Sequence, residues 1–272
     1  MQTLEGKTAI VTGASAPSGI GRATALELSR EGARVVVTDI AGKAADGTAE
    51  KLDLLQALAE QIRGDGGEAL ALEVDVTKGA DVAVCMARTV EAFGGLDILV
   101  NNAASLVGTG AFIDSRPEDW TLSYEVNLLG VVLMCQAAIP LLRARGGSII
   151  NIGSTGSLGA EPGFGAYTTM KHGLIGLTKT IASEHGVDGI RCNAVCPGYT
   201  ETDMHMAVNE RLSREQGLAM EEVKAQRYAA VALRRAGRPE EVAKAIAYLA
   251  GPASGYVTGV ALPVSGGVPC GI

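Results

Sequence analysis

Basic residues are in short supply in this chain: 23 Lys and Arg stand against 30 Asp and Glu, a net charge of −7. A nucleic-acid footprint needs clustered positive charge, so that class of partner is not expected. The two basic spots, Arg143 with Arg145 and Arg234 with Arg235, read as solvated faces or partner contacts. Histidine is scarcer still, and His172, His185 and His205 lack metal-ligand spacing to the cysteines, so no metal is expected. No run reaches the roughly 18 to 20 continuous apolar residues of a membrane span, and no membrane partner is expected. The opening MQTLEGKTAIVTG has neither a basic start nor a small-residue cleavage site, hence no secretory signal. The five cysteines are an odd number, and Cys192 and Cys196 in the apolar run IRCNAVC read as buried thiols. A reduced, cytoplasmic protein is the simplest fit.

What the chain does have is apolar material (47%) and 36 glycines, enough for a large core and many tight turns. Short apolar, β-branched runs at 7–12, 33–39, 69–75, 96–101, 147–153 and 189–195 read as strands, with a short seventh at 259–264. They are almost uniformly apolar rather than alternating, as in a parallel sheet covered on both faces. Between them apolar residues recur at helical spacing, for example Ile20, Ala23, Leu26 and Leu28, then Val82, Met86 and Val90. The expected fold is α/β, one doubly wound parallel sheet of about seven strands within a single domain spanning 1–272. Two segments break the rhythm. Residues 40–51 read as a polar surface insertion, and 199–235 as a charged helical excursion at the ligand edge, suited to a lid.

The stretch TGASAPSGIG (12–21) follows a strand and precedes a helix, where a glycine turn lets backbone approach a pyrophosphate. Ser18 reads as the helix cap. The next strand ends in Asp39, 18 residues beyond Gly21. A carboxylate there accepts hydrogen bonds from an adenosine ribose and repels a 2′-phosphate, favouring NAD over NADP. The competing reading is a turn-capping Asp, and Arg22 and Arg34 are the cations that would argue for NADP. Asp75 ends the third strand, toward an adenine edge. NNAAS (101–105) ends the fourth with small and amide side chains that leave room for a flat ligand.

Strand five ends in NIGSTGS, and 13 residues after Ser154 comes Tyr167, with Lys171 four further on. A helix over 165–185 puts Tyr167 and Lys171 on one face, about 6 Å apart along its axis. Moving a hydride at an alcohol carbon requires a proton to move on the oxygen, and a tyrosine near pKa 10 is a poor base unless a neighbouring ammonium favours its phenolate. Ser154 would hold the substrate oxygen. Chance produces this three-residue spacing about 0.01 of the time.

These residues resemble the short-chain dehydrogenase/reductase family from about residue 5 to 268. The resemblance implies a Rossmann-type fold and an oxidoreductase in which Ser154, Tyr167, Lys171 and Asn127 are catalytic, Asn127 holding a water that links the lysine to solvent. It implies cofactor contacts from Gly13, Ser15, Ser18, Gly19, Ile20, Gly21, Asp39, Asp75, Val76, Asn102, Ala103, Tyr167, Lys171, Pro197, Gly198, Thr200 and Thr202. The backbone at Val195 or its neighbours belongs with them, and Thr202 matches the threonine that meets the nicotinamide carboxamide. GRPEEVA (237–243) and YVTGVALPVSGG (256–267) match the closing helix and strand. A homo-oligomer is implied, a tetramer before a dimer, through the helices near 117–145 and 165–185.

One feature departs from the family. The spacing G-x5-G-x-G is two residues longer than TG-x3-G-x-G, with Ala16 and Pro17 extra, and resembles the branch of enoyl-thioester reductases. That branch separates its tyrosine and lysine by six residues, whereas here the gap is three, so alcohol/ketone redox is the first reading and Ala16-Pro17 should bulge outward. Enoyl reduction and a non-catalytic NAD(H)-binding regulator are the alternatives. The pocket expected from 105–107, 156–158, 162–164 and 204–208 is small or apolar, favouring a neutral and partly apolar substrate, with a polyol, a sugar or a hydroxyacyl thioester left open and Glu161 and His205 either polar contacts or surface.

Overall fold

The computed structural model describes residues 3–44, 47 and 49–268. Seven strands, β1 (Thr8–Thr12), β2 (Arg34–Asp39), β3 (Ala69–Glu73), β4 (Ile98–Asn101), β5 (Gly147–Ile152), β6 (Ile190–Pro197) and β7 (Ala261–Val264), form one parallel sheet in the order β3-β2-β1-β4-β5-β6-β7. Each lies within a run read from the sequence, except that β6 extends two residues further, to Pro197. Every residue of β1 and β4 is buried, which is why no polar alternation marks them.

The pleat sends alternate side chains into two separate cores. Ala9, Val11, Val35 and Val37 pack with helices α1 (Ile20–Arg30) and α2 (Lys51–Gly64) on one face. Ile10 and Val36 pack on the other with α3 (Gly79–Phe93), α5 (Gly130–Leu142) and α6 (Gly165–His185). Helix α4 (Pro117–Tyr124) runs into α5 through a π-helical turn, Glu125–Leu129. Helices α7 (Asp203–Gln216) and α8 (Met220–Tyr228) make up the excursion after β6, and α9 (Pro239–Ala250) returns to the α1 face through Val242, Ile246 and Leu249. The expected helical stripes hold at Ala23, Leu28, Val82 and Met86, but Val90 is 38% exposed at the end of α3.

The run Pro117–Leu142 departs from one expectation. Its 26 residues contain a window of mean hydropathy 1.8, long and apolar enough to cross a membrane by length and composition, with 44% of that window buried. Glu125, Asn127 and Gln136 interrupt it, so no continuous apolar run reaches that length although the average does.

Polar side chains inside the sheet are tied together. Asn101 Nδ2 donates to Asn151 Oδ1 across β4 and β5 (2.8 Å), and Asn151 Nδ2 donates to Thr178 Oγ1 of α6 (2.9 Å). The chain of bonds fixes α6 against the strand ends that carry Ser154. Because β1 has β2 on one side and β4 on the other, the order of connections reverses between β1 and β4, opening a crevice at the carboxyl ends.

Replacing Asn151 by Ala removes one bond each from buried Asn101 and Thr178, which keep their bonds to Cys135 and the Leu174 carbonyl, and is expected to destabilise the fold by about 1–3 kcal/mol. Urea denaturation reads this as a lowered midpoint; a midpoint equal to that of wild type would show that the ladder contributes nothing net.

Candidate active site

A cleft of about 1130 Å³ lies along the carboxyl ends of the strands. Its floor is the glycine turn after β1. Gly13 is left-handed (φ +67°), and a Cβ there would lie 2.8 Å from Ala103 Cα; a Cβ at Gly21 would lie 2.5 Å from the Gly13 carbonyl. Asn102 Nδ2 donates to the carbonyls of Thr12 (2.8 Å) and Gly13 (2.9 Å), while Thr12 Oγ1 accepts from the amides of Asn102 and Ala103. The NNA motif therefore braces the turn, as expected of amides at a strand end. Gly13, Ser15, Gly19, Ile20, Asn102 and Ala103 all line the cleft. Helix α1 starts with Gly19 as N-cap and no side chain on its first amides, a surface suited to a pyrophosphate.

Three expectations about this loop are corrected. Ser18 does not cap α1; its hydroxyl bonds to Asp203 Oδ1 at the start of α7 (2.6 Å), 185 residues away. Gly21 lies behind the turn rather than on the cleft, and serves packing. The extra pair does not simply bulge out. Pro17 is exposed, but the Ala16 carbonyl accepts from Gly19 N (2.9 Å) and Ala16 crowds the Gly19 α-carbon, where a Cβ would lie 3.0 Å away. Both residues line the cleft.

At the far end of the cleft, Asp39 serves the turn and the ligand space together. Its Oδ2 accepts from Ser15 N (3.1 Å) and Ser15 Oγ (2.7 Å), and its Oδ1 accepts from Ile40 N and faces Lys51 Nζ at 3.3 Å. The turn-capping role and the cleft position coexist. Neither Arg22 nor Arg34 approaches: Arg22 bonds to Gln61 and Arg34 to the Gly6 carbonyl. The nearby cation is Lys51, at the start of α2. Segment 40–51 is thus no mere surface insertion, since Ile40, Ala44, Ala49 and Lys51 wall the cleft; residues 45, 46 and 48 lie outside the described residues. Asp75 and Val76 line the cleft as expected, but the Asp75 carboxylate turns back onto Thr77 Oγ1 (2.7 Å) and Lys78 (3.3 Å). Val195 is fully buried in the core, and Pro197, Gly198, Thr200 and Thr202 reach the cleft instead.

In the middle, β5 and α6 bring Ser154, Tyr167 and Lys171 together. Helix α6 spans the residues expected of it, so the two side chains share one face, with Lys171 Nζ 5.5 Å from the Tyr167 ring centre. The ammonium is buried and donates to the Ile152 carbonyl at 2.7 Å, two residues before Ser154. Ser154 hydrogen-bonds the Tyr167 phenol, and its Oγ accepts from Gly156 N (3.1 Å). Burial lowers Lys171 from its ordinary 10.5 to about 8. The same burial raises the Tyr167 phenol well above 10, the Ser154 bond partly opposing and Glu161 adding to it. Desolvation dominates the phenol, and the bond from Ser154, rather than the ammonium, is what opposes it.

Asn127 is wholly buried in the π-helical turn and does not reach the cleft. Its Nδ2 donates to the Ser105 carbonyl (2.9 Å) and to Ser123 Oγ (3.1 Å), and its Oδ1 accepts from Ser105 N (3.1 Å). Both N–H donors are spent on protein, so this side chain holds the β4 exit loop in place.

The excursion 199–235 covers the substrate end, its base closed by a bridge between Thr200 and Gly237. Thr202 Oγ1 caps α7 by accepting from His205 N (3.2 Å). Arg211 reaches from α7 to Thr109 and lies over the Phe164 ring. The expected apolar lining is corrected here: Glu161, Arg227, Asp203 and Glu210 join Met204 and Val208 on the wall. Sequence reasoning missed Lys51 and Arg227, neither of which stands in a motif, and passed over Tyr199 although it lies within PGYTET (197–202). Among the described residues no three His, Cys, Asp or Glu converge as metal ligands, and Cys85, Cys135, Cys192 and Cys196 are buried outside any disulfide; Cys270 lies outside the described residues.

A sequence profile described as Enoyl-(Acyl carrier protein) reductase matches residues 13–269. The "Short chain dehydrogenase/reductase astE" of Aspergillus oryzae is 38% identical over 268 residues, 98% of this chain and 96% of that protein. The "3-oxoacyl-[acyl-carrier-protein] reductase FabG" of Thermotoga maritima is 36% identical over 266 residues, 97% of this chain and 98% of that one. A crystal structure of an actinorhodin polyketide ketoreductase variant with NADPH superposes with a TM-score of 0.88 at 35% identity, covering 98% and 99% of the two chains.

Burial of Lys171 has a measurable sign. Its folded pKa lies below the unfolded one, so between pH 8 and 10.5 the unfolded chain binds a proton that the folded chain does not, and stability rises with pH across that window. Relative to Lys171→Met, wild type is expected to gain on the order of 3 kcal/mol there. Urea unfolding of both proteins at stepped pH tests it; parallel curves would overturn it.

Proposed function

The chain belongs to the short-chain dehydrogenase/reductase family of oxidoreductases, which bind a nicotinamide cofactor, and we propose that it interconverts a secondary alcohol and a ketone with NAD(H). The observation that carries this reading is the meeting of Ser154, Tyr167 and Lys171 in one cleft with a glycine turn. The bound nicotinamide supplies or takes up the hydride. Tyr167 moves the proton on the substrate oxygen, and Ser154, already bonded to the phenol, holds that oxygen in register. Lys171 provides the one positive charge beneath the ring. Its bond to the Ile152 carbonyl fixes its distance from Tyr167.

NAD is the cofactor this reading favours. The Asp39 carboxylate is held at the cleft wall by Ser15, where it accepts from ribose hydroxyls and repels a 2′-phosphate. Lys51 weakens that repulsion but is itself held by Asp39. A relative that carries NADPH makes the balance worth measuring.

A homo-oligomer, tetramer before dimer, fits the apolar α4–α5 run, less than half of whose window is buried in one chain. Buried thiols outside any disulfide suit the cytoplasm. Enoyl-thioester reduction is the second reading, favoured by the profile's description and the longer glycine loop; the three-residue gap between Tyr167 and Lys171 weighs against it.

Tyr167→Phe removes the proton carrier and is expected to lower turnover of secondary alcohols roughly 100- to 10,000-fold. A variant retaining most of its turnover would sink the assignment. For the cofactor, calorimetry should give NAD about tenfold or more tighter binding than NADP, with Asp39→Ala reversing the order; tighter NADP binding by wild type would refute the preference.

A further inference from the structure

The substrate end of the cleft holds polar groups that proton transfer does not use. Glu161 Oε2, Thr168 Oγ1 and Ser154 Oγ lie 3.3, 3.4 and 3.5 Å from the point a Cβ on Gly156 would occupy. Glu161 and Ser154 therefore converge on the cleft beside Tyr167, with Gly156 buried behind them. Glu161 is half-buried, an acceptor with no donor bonded to it among the described residues; burial pushes its carboxyl up while the charge of Arg227 pulls it down.

Arg227 faces this space from α8. Its guanidinium carbon stands 4.3 Å over the Tyr199 ring, and one Nη donates to Asn209 Oδ1, which together fix the plane of the group and leave further N–H donors unassigned. The charged cations on the cleft wall are Lys51, Lys171 and Arg227. Lys51 is paired with Asp39 and Lys171 lies beneath Tyr167, so Arg227 is the cation left to the substrate. Its neighbour His205 is held neutral, lowered to about 4 by burial, with Arg227 and Lys224 adding to the effect. Arg227 and Glu161 feel each other's charge but form no ion pair among the described residues, which leaves a gap between an acceptor and a planar cation.

We propose that the substrate is a small polyhydroxy carboxylate, its carboxylate held by Arg227 and the hydroxyl beside the reacting carbon held by Glu161. The planar fork of a single arginine matches a carboxylate, whereas a neutral polyol leaves that cation unused and a long acyl chain leaves Glu161 without a donor. The inference rests on the alcohol/ketone reading and narrows its substrate.

The test compares four- and five-carbon aldonates with alditols of the same configuration, using cofactor-loaded protein, with turnover followed by absorbance of the reduced cofactor and binding by calorimetry. Wild type should favour at least one aldonate over its alditol about 10- to 100-fold in kcat/KM. In Arg227→Gln that ratio should fall to about one, while Arg227→Lys should retain part of it and guard against a folding defect. Glu161→Gln should raise KM for polyhydroxy substrates more than for a simple secondary alcohol. Ratios near one in wild type, or a ratio that Arg227→Gln does not change, would overturn the proposal while leaving the alcohol/ketone reading intact. Arg227-dependent aldonate binding without turnover of any secondary alcohol would instead uphold the recognition and sink that reading.

Discussion

The bond from Lys171 Nζ to the Ile152 carbonyl is the constraint around which the site is organised. It places a buried ammonium with no carboxylate paired to it among the described residues, a charge that desolvation disfavours. Holding it there locks the register of α6 against the end of β5. Tyr167, one turn earlier on the same helix face, and Ser154, two residues beyond Ile152, then meet without further adjustment. The asparagine ladder from Asn101 through Asn151 to Thr178 ties the same helix to the same strand one layer deeper. Burial that is unfavourable for stability thus coincides with the geometry that proton transfer needs.

The glycine turn is built by the same logic at a second point. Its conformation depends on Gly13 and Gly21, each of which touches backbone where a methyl group would not fit. Lengthening the loop by Ala16 and Pro17 leaves that contact undisturbed because the added residues close their own small turn onto Gly19. What the lengthening changes is reach. Ser18, displaced from the helix cap, bonds to Asp203 and links the cofactor turn to the first turn of the helix that covers the substrate end. The loop that suggested another branch of the family is, in the folded chain, a tie between the two halves of the cleft.

The sheet was legible because each strand is an unbroken apolar run bounded by glycine or polar residues, and α6 because Tyr167, Lys171 and its apolar positions agree on one period. Positions set by contacts distant in sequence were not legible. Lys51 reaches Asp39 across 12 residues that look like surface, and nothing in its neighbourhood marks it. Asn127 was recognised, but only the fold reveals that its amide is consumed by Ser105 and Ser123. A cation four residues from Tyr167 can be read from spacing, whereas the depth of burial that raises the phenol cannot.

The substrate end shows the same limit most sharply. Read as a string, 156–164 and 204–208 are small or apolar, and a neutral ligand follows. In the fold, the polar groups come from positions between and beyond those segments. Glu161 sits inside a loop whose other members are small, and Arg227 arrives from a second lid helix. Each alone is an ordinary surface residue. They acquire meaning because Gly156 removes the bulk between Glu161 and Ser154, and because Tyr199 and Asn209 leave the Arg227 guanidinium one orientation. On the proposed reading, selectivity in this cleft resides in the lid and the β5–α6 loop, while the chemistry resides in the helix beneath them. Elements that carry recognition can then diverge without disturbing the buried lysine on which the proposed reaction depends.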